Sequence, residues 1–128
     1  MSSTPSRDPP LVLLLEEETT ERAVMVEHLT AGGYRVVEAS DSEEALSALS
    51  LHSDVQAIVT DAHVPGKIDG YEFAQLVRER WPQVATIMTS GHSDGSSGPI
   101  PQGGEFIAKP YLLEHLLPTL QRMLHRTG

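Results

Sequence analysis

Five short apolar runs alternate along the chain with segments whose apolar residues recur at helical spacing. The first run consists of five consecutive aliphatic residues, which is typical of a strand buried on both faces of a sheet. Strands that alternate with helices in this way form a parallel sheet with helices on both faces. The pattern therefore predicts a doubly wound α/β domain. Its predicted strands are Leu11–Leu15, Tyr34–Ala39, Val55–Thr60, Val84–Thr89 and Glu105–Ala108.

Polar residues and glycines mark where the intervening helices begin and end. A short polar side chain accepts a hydrogen bond from the first helical turn, and a Glu three residues later completes a capping box. Gly32-Gly33 is predicted to end the first helix, because glycine adopts the left-handed C-terminal conformation without a clash. The last helix is predicted to begin near Leu112. The predicted N-caps are Thr19 or Thr20, Ser40 with Glu43, and Asp69 with Glu72.

The segment Gly91–Gly104, between the fourth and fifth strands, departs from this alternation. It contains five glycines and two prolines, and helix formation is disfavoured by about 1 kcal/mol for each glycine and about 3 kcal/mol for each proline. Ile100 is its one large hydrophobic residue, so packing offers little compensation. We therefore expect the fourth helix to be shortened or replaced by a mobile loop.

Length and charge limit what the chain can do. Its 128 residues suffice for one domain, which we place at residues 11–126 after a disordered segment at 1–10. The net charge of −9 disfavours nonspecific nucleic-acid binding, which requires clustered Lys and Arg. The lack of cysteine excludes disulfides and thiolate chemistry, and no apolar run approaches the ~20 residues of a membrane span. We expect a cytoplasmic protein that binds neither nucleic acid nor membrane.

Parallel strands end at the same edge of a sheet, which is where ligands bind in open α/β folds. Carboxylates that converge there repel one another, so we expect a cation between them, and Mg²⁺ suits a site with one or two carboxylates. With a cation present, an aspartate can attack phosphorus while a lysine and a hydroxyl hold the transferred oxygens. The polar residues that follow the predicted strands are Glu16, Glu17, Glu18, Asp61, Thr89, Ser90 and Lys109.

Four segments at these strand ends resemble motifs of response-regulator receiver domains, the phosphoacceptor modules of two-component signalling. The segments are VLLLEEE, VTDAHVPGKIDG, MTSGH and FIAKPY, and the resemblance covers nearly all of Leu11–Arg126. It implies a flavodoxin-like fold with strand order 2-1-3-4-5. It also implies a stand-alone receiver, a monomer or weak dimer, phosphorylated by a histidine kinase or histidine phosphotransfer protein. Such a receiver signals by binding a partner or by passing the phosphate on.

The resemblance also implies a role for individual residues. Asp61 would be the phosphoacceptor, Thr89 the switch hydroxyl and Lys109 the phosphate-binding lysine. Phe106 would be the aromatic residue whose rotamer reports the switch, and the Lys109–Pro110 peptide bond would be cis. A receiver catalyses its own phosphorylation and dephosphorylation but turns over no separate substrate. The implied Mg²⁺ ligands are the side chains of Glu16, Glu17 and Asp61 and the main-chain carbonyl of His63.

One departure from the family pattern leaves alternatives open. Both acids after the first strand are Glu, whereas typical receivers have at least one Asp there. The longer side chains would weaken or displace a metal, which favours a pseudo-receiver, an interaction module without metal-dependent phosphorylation. The retained Asp61, Thr89 and Lys109 speak against that alternative. An aspartyl-phosphate phosphatase would carry its nucleophile on the first strand, whereas Asp61 follows the third strand. A zinc site is disfavoured because the six histidines lack the spacing of zinc ligands.

Overall fold

A computed structural model describes residues 9–90, 104–109 and 112–125 of the chain. The expected mobile loop at 91–104, apart from Gly104, lies outside the described residues, as do the Lys109–Pro110 bond and most of the N-terminal segment. The strands are β1 (Leu11–Leu15), β2 (Arg35–Ala39), β3 (Val55–Asp61), β4 (Ala85–Ser90) and β5 (Glu105–Ala108). The helices are α1 (Thr19–Ala31), α2 (Ser42–Leu51), α3 (Gly70–Arg80) and α4 (Leu112–His125).

The five strands form one parallel sheet in the order β2-β1-β3-β4-β5. This confirms the doubly wound α/β fold and the 2-1-3-4-5 order. The chain starts at β1, moves outward to β2, and then crosses back over β1 to β3. The order therefore reverses between β1 and β3, so the carboxyl ends of these strands border the crevice that such a sheet offers to ligands.

Alternate residues of β1 belong to two separate hydrophobic clusters, because successive side chains of a strand point to opposite faces. Leu11, Leu13 and Leu15 pack on the face covered by α2 and α3. Val12 and Leu14 pack on the other face, against α1 and α4. Every residue of β1 is buried, which confirms the prediction made from its uninterrupted apolar run.

The structure shows that two of the three predicted N-caps are wrong. Neither Thr19 nor Thr20 caps α1; the N-cap is Glu18, whose carboxylate accepts a hydrogen bond from the Glu21 N–H. The N-cap of α2 is Asp41 and its capping interaction is with Glu44, one residue later than the predicted pair. The capping box of α3, with Asp69 at the N-cap and Glu72 three residues on, is confirmed.

Helix α4 begins at Leu112 as predicted and continues past Pro118, which lies on its exposed side. Its opposite side buries a stripe of apolar residues at helical spacing against the sheet. At 14 residues it is the longest helix in the described part of the chain, whereas a membrane span needs ~20 apolar residues. None of the helices described is long and apolar enough to cross a membrane.

Candidate functional site

The carboxyl edge of the sheet brings together polar residues from four separate strands. Asp61 is the last residue of β3, and it is paired in register with Thr89 of β4. Glu16 directly follows β1, and Lys109 directly follows β5. The predicted convergence of these side chains follows from the parallel sheet, since all four strands end at the same edge.

The ammonium group of Lys109 lies at the centre of this site. Its Nζ is 2.6 Å from Asp61 Oδ2, 2.8 Å from Glu21 Oε2 and 3.4 Å from Glu16 Oε1. Burial alone would lower the pKa of Lys109, but its hydrogen bonds to Asp61 and Glu21 outweigh that effect. With the added charges of Asp61 and Glu16, the pKa is held well above its usual value. Lys109 is therefore a permanent cation among carboxylates.

Glu16 is the most buried acid of the site, with 3% of its surface exposed. Burial raises the pKa of its carboxyl group. A hydrogen bond from the Glu18 N–H to Glu16 Oε2 (3.0 Å) and the charge of Lys109 act in the opposite direction, while the charges of Asp61 and Glu21 add to the rise. A buried carboxylate next to two other acids is stabilised by any additional positive charge.

Asp61 is held from both sides while its carboxylate still reaches the surface. Its Oδ1 accepts a hydrogen bond from the His63 N–H (3.0 Å), and its Oδ2 accepts one from Lys109. The next residue, Ala62, donates its N–H to the carbonyl of Thr89 (2.7 Å) and accepts from the Gly70 N–H (3.0 Å). With 12% of its side chain exposed, Asp61 is fixed in position and accessible to a small donor.

The loop after Asp61 is fastened to the start of α2. The Lys67 N–H donates to Glu43 Oε2 at 2.5 Å, and the Ser42 N–H donates to the Pro65 carbonyl at 3.2 Å. Gly66 has a φ of +119°, a conformation that side chains other than glycine rarely adopt. A Cβ at Gly66 would also overlap the Ser42 hydroxyl. These contacts hold the turn that follows Asp61 against the first residues of α2.

Thr89 and Phe106 lie on the neighbouring strands β4 and β5, and Thr89 is the residue paired with Asp61 of β3. Thr89 is buried, with 1% of its surface exposed. Phe106 is half-buried, pairs with Met88 in the β4–β5 ladder, and packs on a small cluster that includes Ala62 and Tyr71. A packed aromatic residue thus lies one strand away from a buried hydroxyl, next to the residue that follows Asp61.

Comparison with known proteins agrees with this arrangement. A family model described as response regulator receiver domain matches residues 12–121. The chain belongs to this family. It is 32% identical over 121 residues to the hydrogenase transcriptional regulatory protein HoxA of Cupriavidus necator, a match that covers 91% of this chain and 24% of HoxA.

Two further proteins, a sensor histidine kinase and a response regulator, are similar to this receiver. It is 30% identical over 135 residues to the sensor histidine kinase CheAY of Helicobacter pylori, covering 98% of this chain and 17% of CheAY. The response regulator TrrA of Thermotoga maritima, solved in complex with Mg(2+)-BeF, has a TM-score of 0.81 and 23% identity, covering 90% of this chain and 99% of TrrA. The receiver spans about a quarter or less of the length of HoxA and of CheAY.

The implied metal ligands of this receiver differ in their surroundings. Glu16 lies buried at the ammonium of Lys109, whereas Glu17 is exposed. The main-chain carbonyl of Glu17 is 3.4 Å from Arg22 Nη1, which also binds the carbonyl of Glu16 at 2.8 Å. His63 donates its N–H to Asp61, and its ring lies edge-on to Tyr71 with the centroids 6.2 Å apart.

The oxygen donors of the receiver fit Mg²⁺ in type, since this ion is held by one or two carboxylates together with waters. Glu16 and Asp61 each have a carboxylate oxygen within 3.4 Å of the same ammonium nitrogen. Over the residues that the structure describes, no three His, Asp or Glu side chains are arranged as a group that could hold a metal. A bound Mg²⁺ would therefore rest on one or two carboxylates and water.

Glu21 is the one residue of this cluster that the strand-end argument missed. It lies in the first turn of α1, three residues after the N-cap, so it does not belong to the end of any strand. Its side chain nevertheless reaches Lys109, 88 positions further along the chain. The connection between β1 and α1 is only three residues long, so the first turn of α1 must lie over the same edge. The short connection is therefore the sequence feature that places Glu21 near this edge of the sheet.

Proposed function

We propose that this receiver accepts a phosphoryl group on Asp61 from a histidine kinase or a histidine phosphotransfer protein. It would then signal by binding a partner protein or by passing the phosphoryl group on. The observation that carries the proposal is the accessible Asp61 carboxylate with the Lys109 ammonium at 2.6 Å. The similarity to a region of a sensor histidine kinase supports a kinase as the kind of partner. A cytoplasmic location is part of this proposal.

In the proposed reaction, an Asp61 carboxylate oxygen forms a bond to phosphorus as the bond between phosphorus and the donor breaks. The bonding electron pair leaves with the donor group. The ammonium of Lys109 would donate to a phosphoryl oxygen, and the Thr89 hydroxyl would donate to another. Lys109 Nζ lies 2.6 Å from Asp61 Oδ2, and Thr89 is the residue paired with Asp61 in the β3–β4 ladder, so both donors belong to residues next to the acceptor.

Glu16, Glu17, Asp61 and the main-chain carbonyl of His63 would hold Mg²⁺, one or two of the carboxylates directly and the rest through water. The ion would neutralise negative charge on the phosphoryl oxygens. The complex of TrrA with Mg(2+)-BeF supports this metal. The pseudo-receiver alternative rests on the pair Glu16 and Glu17, and no contact among the described residues favours it. Burial of Glu16 beside Asp61 instead leaves a site that gains from an added cation.

The direct test is to incubate the protein with Mg²⁺ and acetyl phosphate and to measure its intact mass. One phosphoryl group adds roughly 80 Da, and hydroxylamine should remove it because acyl phosphates are cleaved by this nucleophile. Omission of Mg²⁺ should reduce the gain strongly. A protein that keeps its original mass over a range of donor and Mg²⁺ concentrations would contradict the proposal and favour the pseudo-receiver.

Replacing Glu17 with glutamine is expected to weaken Mg²⁺ binding by about tenfold or more, since it removes a charged oxygen from the proposed site. Amide shifts of residues near Asp61 provide the measurement. The fluorescence of Trp81 would report poorly on this site, because Trp81 is the C-cap of α3 and its carbonyl accepts from the Val84 N–H, just before β4 and at the edge opposite Asp61. Glu27→Gln, an equal charge change at an exposed site on α1, should leave the titration unchanged. Equal Mg²⁺ affinities in the wild type and Glu17→Gln would remove Glu17 from the site.

Replacing Thr89 with alanine is expected to leave phosphorylation of Asp61 possible but to uncouple it from Phe106. The buried hydroxyl would move toward the phosphoryl group and vacate space that the Phe106 ring can fill. Beryllium fluoride with Mg²⁺, a stable phosphoryl mimic, should therefore shift the Phe106 ring signals in the wild type and much less in Thr89→Ala. Thr89→Ser, which keeps the hydroxyl, should retain most of the shift. Equal ring shifts in wild type and Thr89→Ala would refute the coupling.

A further inference from the structure

Glu21 is the third carboxylate around the Lys109 ammonium, beside Asp61 and Glu16. Its Oε2 lies 2.8 Å from Lys109 Nζ, nearly as close as Asp61 Oδ2 at 2.6 Å and closer than Glu16 Oε1 at 3.4 Å. Its backbone is fixed, because the Glu21 N–H donates to the N-cap carboxylate of Glu18 at 2.9 Å. The position of the Glu21 side chain over Lys109 therefore follows from the start of α1.

A lysine ammonium has three N–H donors, and three carboxylates surround Lys109. Lys109 donates hydrogen bonds to Glu21 and Asp61, while Glu16 Oε1 is an ion-pair partner at 3.4 Å. A phosphoryl group on Asp61 brings further anionic oxygens to this ammonium, and they compete with the three carboxylates, each of which is a candidate for release. The three candidates differ in exposure. The side chain of Glu21 is 49% exposed, against 4% for Glu16 and 12% for Asp61. Glu21 is thus the carboxylate that water can solvate when it is released.

Charge adds to this competition. Three ionised carboxylates around one ammonium leave the site with two net negative charges, and an incoming phosphodonor is itself an anion. Like charges a few ångströms apart repel, and this repulsion is only partly screened near a protein surface. Among the three acids, Glu21 has no place in the proposed phosphotransfer, so its charge opposes the donor without assisting the reaction.

We propose that Glu21 is a positioning residue that competes with the phosphoryl group for the Lys109 ammonium and so restrains phosphorylation of Asp61. The inference rests on the proposed function and adds a residue that slows phosphorylation of Asp61. In the unphosphorylated protein, Glu21 holds part of the hydrogen-bonding capacity of Lys109. On phosphorylation, Glu21 is released to solvent while Lys109 stays with Asp61.

The test compares the rate of mass gain from acetyl phosphate and Mg²⁺ in the wild type, Glu21→Gln and Glu27→Gln. Glutamine has nearly the size of glutamate but lacks its charge, so Glu21→Gln should react about three- to tenfold faster, the range expected for loss of one nearby charge. The phosphorylated form of this variant should also last longer. Glu27 is exposed on the same helix, and Glu27→Gln should match the wild type.

Two further measurements separate a charge effect from a change in packing. The advantage of Glu21→Gln should shrink as the salt concentration rises, because ions screen exposed charges. Glu21→Asp, which keeps the charge, should react close to the wild-type rate. If the wild type reacts and Glu21→Gln is equally fast or slower, the role of Glu21 is overturned while the proposed function stands. If neither protein gains mass, both proposals are overturned.

Discussion

Replacing Asp61 with asparagine is expected to abolish phosphorylation completely, so that the gain of roughly 80 Da disappears at every time point. The amide has nearly the same shape as the carboxylate but is not a nucleophile toward phosphorus at neutral pH. It also removes the anion that Lys109 Nζ contacts at 2.6 Å. Lys109 keeps Glu21 and Glu16 as partners, so we expect the variant to fold. Intact-mass spectrometry after incubation with Mg²⁺ and acetyl phosphate gives the answer.

The matched control for this variant is Asp54→Asn. Asp54 lies just before the first residue of β3, whereas Asp61 is its last residue, so the two aspartates stand at opposite ends of one strand. Asp54 is exposed and pairs with Arg35, away from the carboxyl edge. Asp54→Asn should gain the phosphoryl mass at the wild-type rate. A persistent gain in Asp61→Asn would assign the acceptor to another residue, which peptide mapping of the phosphorylated protein would then identify.

The fold could be predicted because its strands have an unambiguous pattern. A run of five aliphatic residues at Leu11–Leu15 cannot form an amphipathic helix, and all five are buried in the sheet. Short runs of this kind, separated by helical segments, allow few arrangements other than a parallel sheet. The predicted strand limits differ from the observed ones by at most one residue at each end. The strand order itself came from the resemblance to receivers.

The convergence of Glu16, Asp61, Thr89 and Lys109 was also predictable, since it depends only on parallel strands ending at one edge. The N-caps of α1 and α2 were harder to predict from the sequence. Thr and Ser are favoured at N-caps by intrinsic preference, yet Glu18 caps α1. The short connection explains this: buried Glu16 accepts from the Glu18 N–H, which fixes Glu18 just before the helix and leaves its carboxylate free to accept from Glu21. The burial of Glu16 in the folded protein therefore selects Glu18 as the N-cap of α1.

Glu21 illustrates the same limit at the site. The short connection between β1 and α1 places the first turn of α1 over the carboxyl edge, but nothing local in the sequence shows that Glu21 of that turn reaches Lys109. What brings Glu21 to Lys109 is the approach of α1 to the end of β5, a contact between segments 88 positions apart. Sequence patterns predict which residues follow strands, but they do not predict which first-turn side chain of a helix will lean over the edge of the sheet.

Replacing Gly70 with alanine is expected to lower the free energy of unfolding and to slow phosphorylation at the same time. Gly70 is the first residue of α3, and its N–H donates to the carbonyl of Ala62 at 3.0 Å. A Cβ at this position would overlap the carbonyl oxygen of Asp61 and lie 2.8 Å from the carbonyl carbon and oxygen of Ala62. These atoms are backbone, so no side-chain rotation can relieve the overlap. Overpacking of this kind costs about 1–3 kcal/mol.

The overlap acts directly on the phosphoacceptor, which is why the two effects should appear together. Either α3 moves away, which breaks the Gly70–Ala62 hydrogen bond, or the end of β3 moves and displaces Asp61 from Lys109. Urea denaturation measures the first consequence and the rate of mass gain the second. Gly32→Ala is the control, because the three atoms nearest to its Cβ would all belong to the flexible side chain of Leu117 on α4, far from Asp61. We expect Gly32→Ala to phosphorylate normally. A Gly70→Ala protein with unchanged stability and rate would show that the contact between α3 and Asp61 does not position the carboxylate.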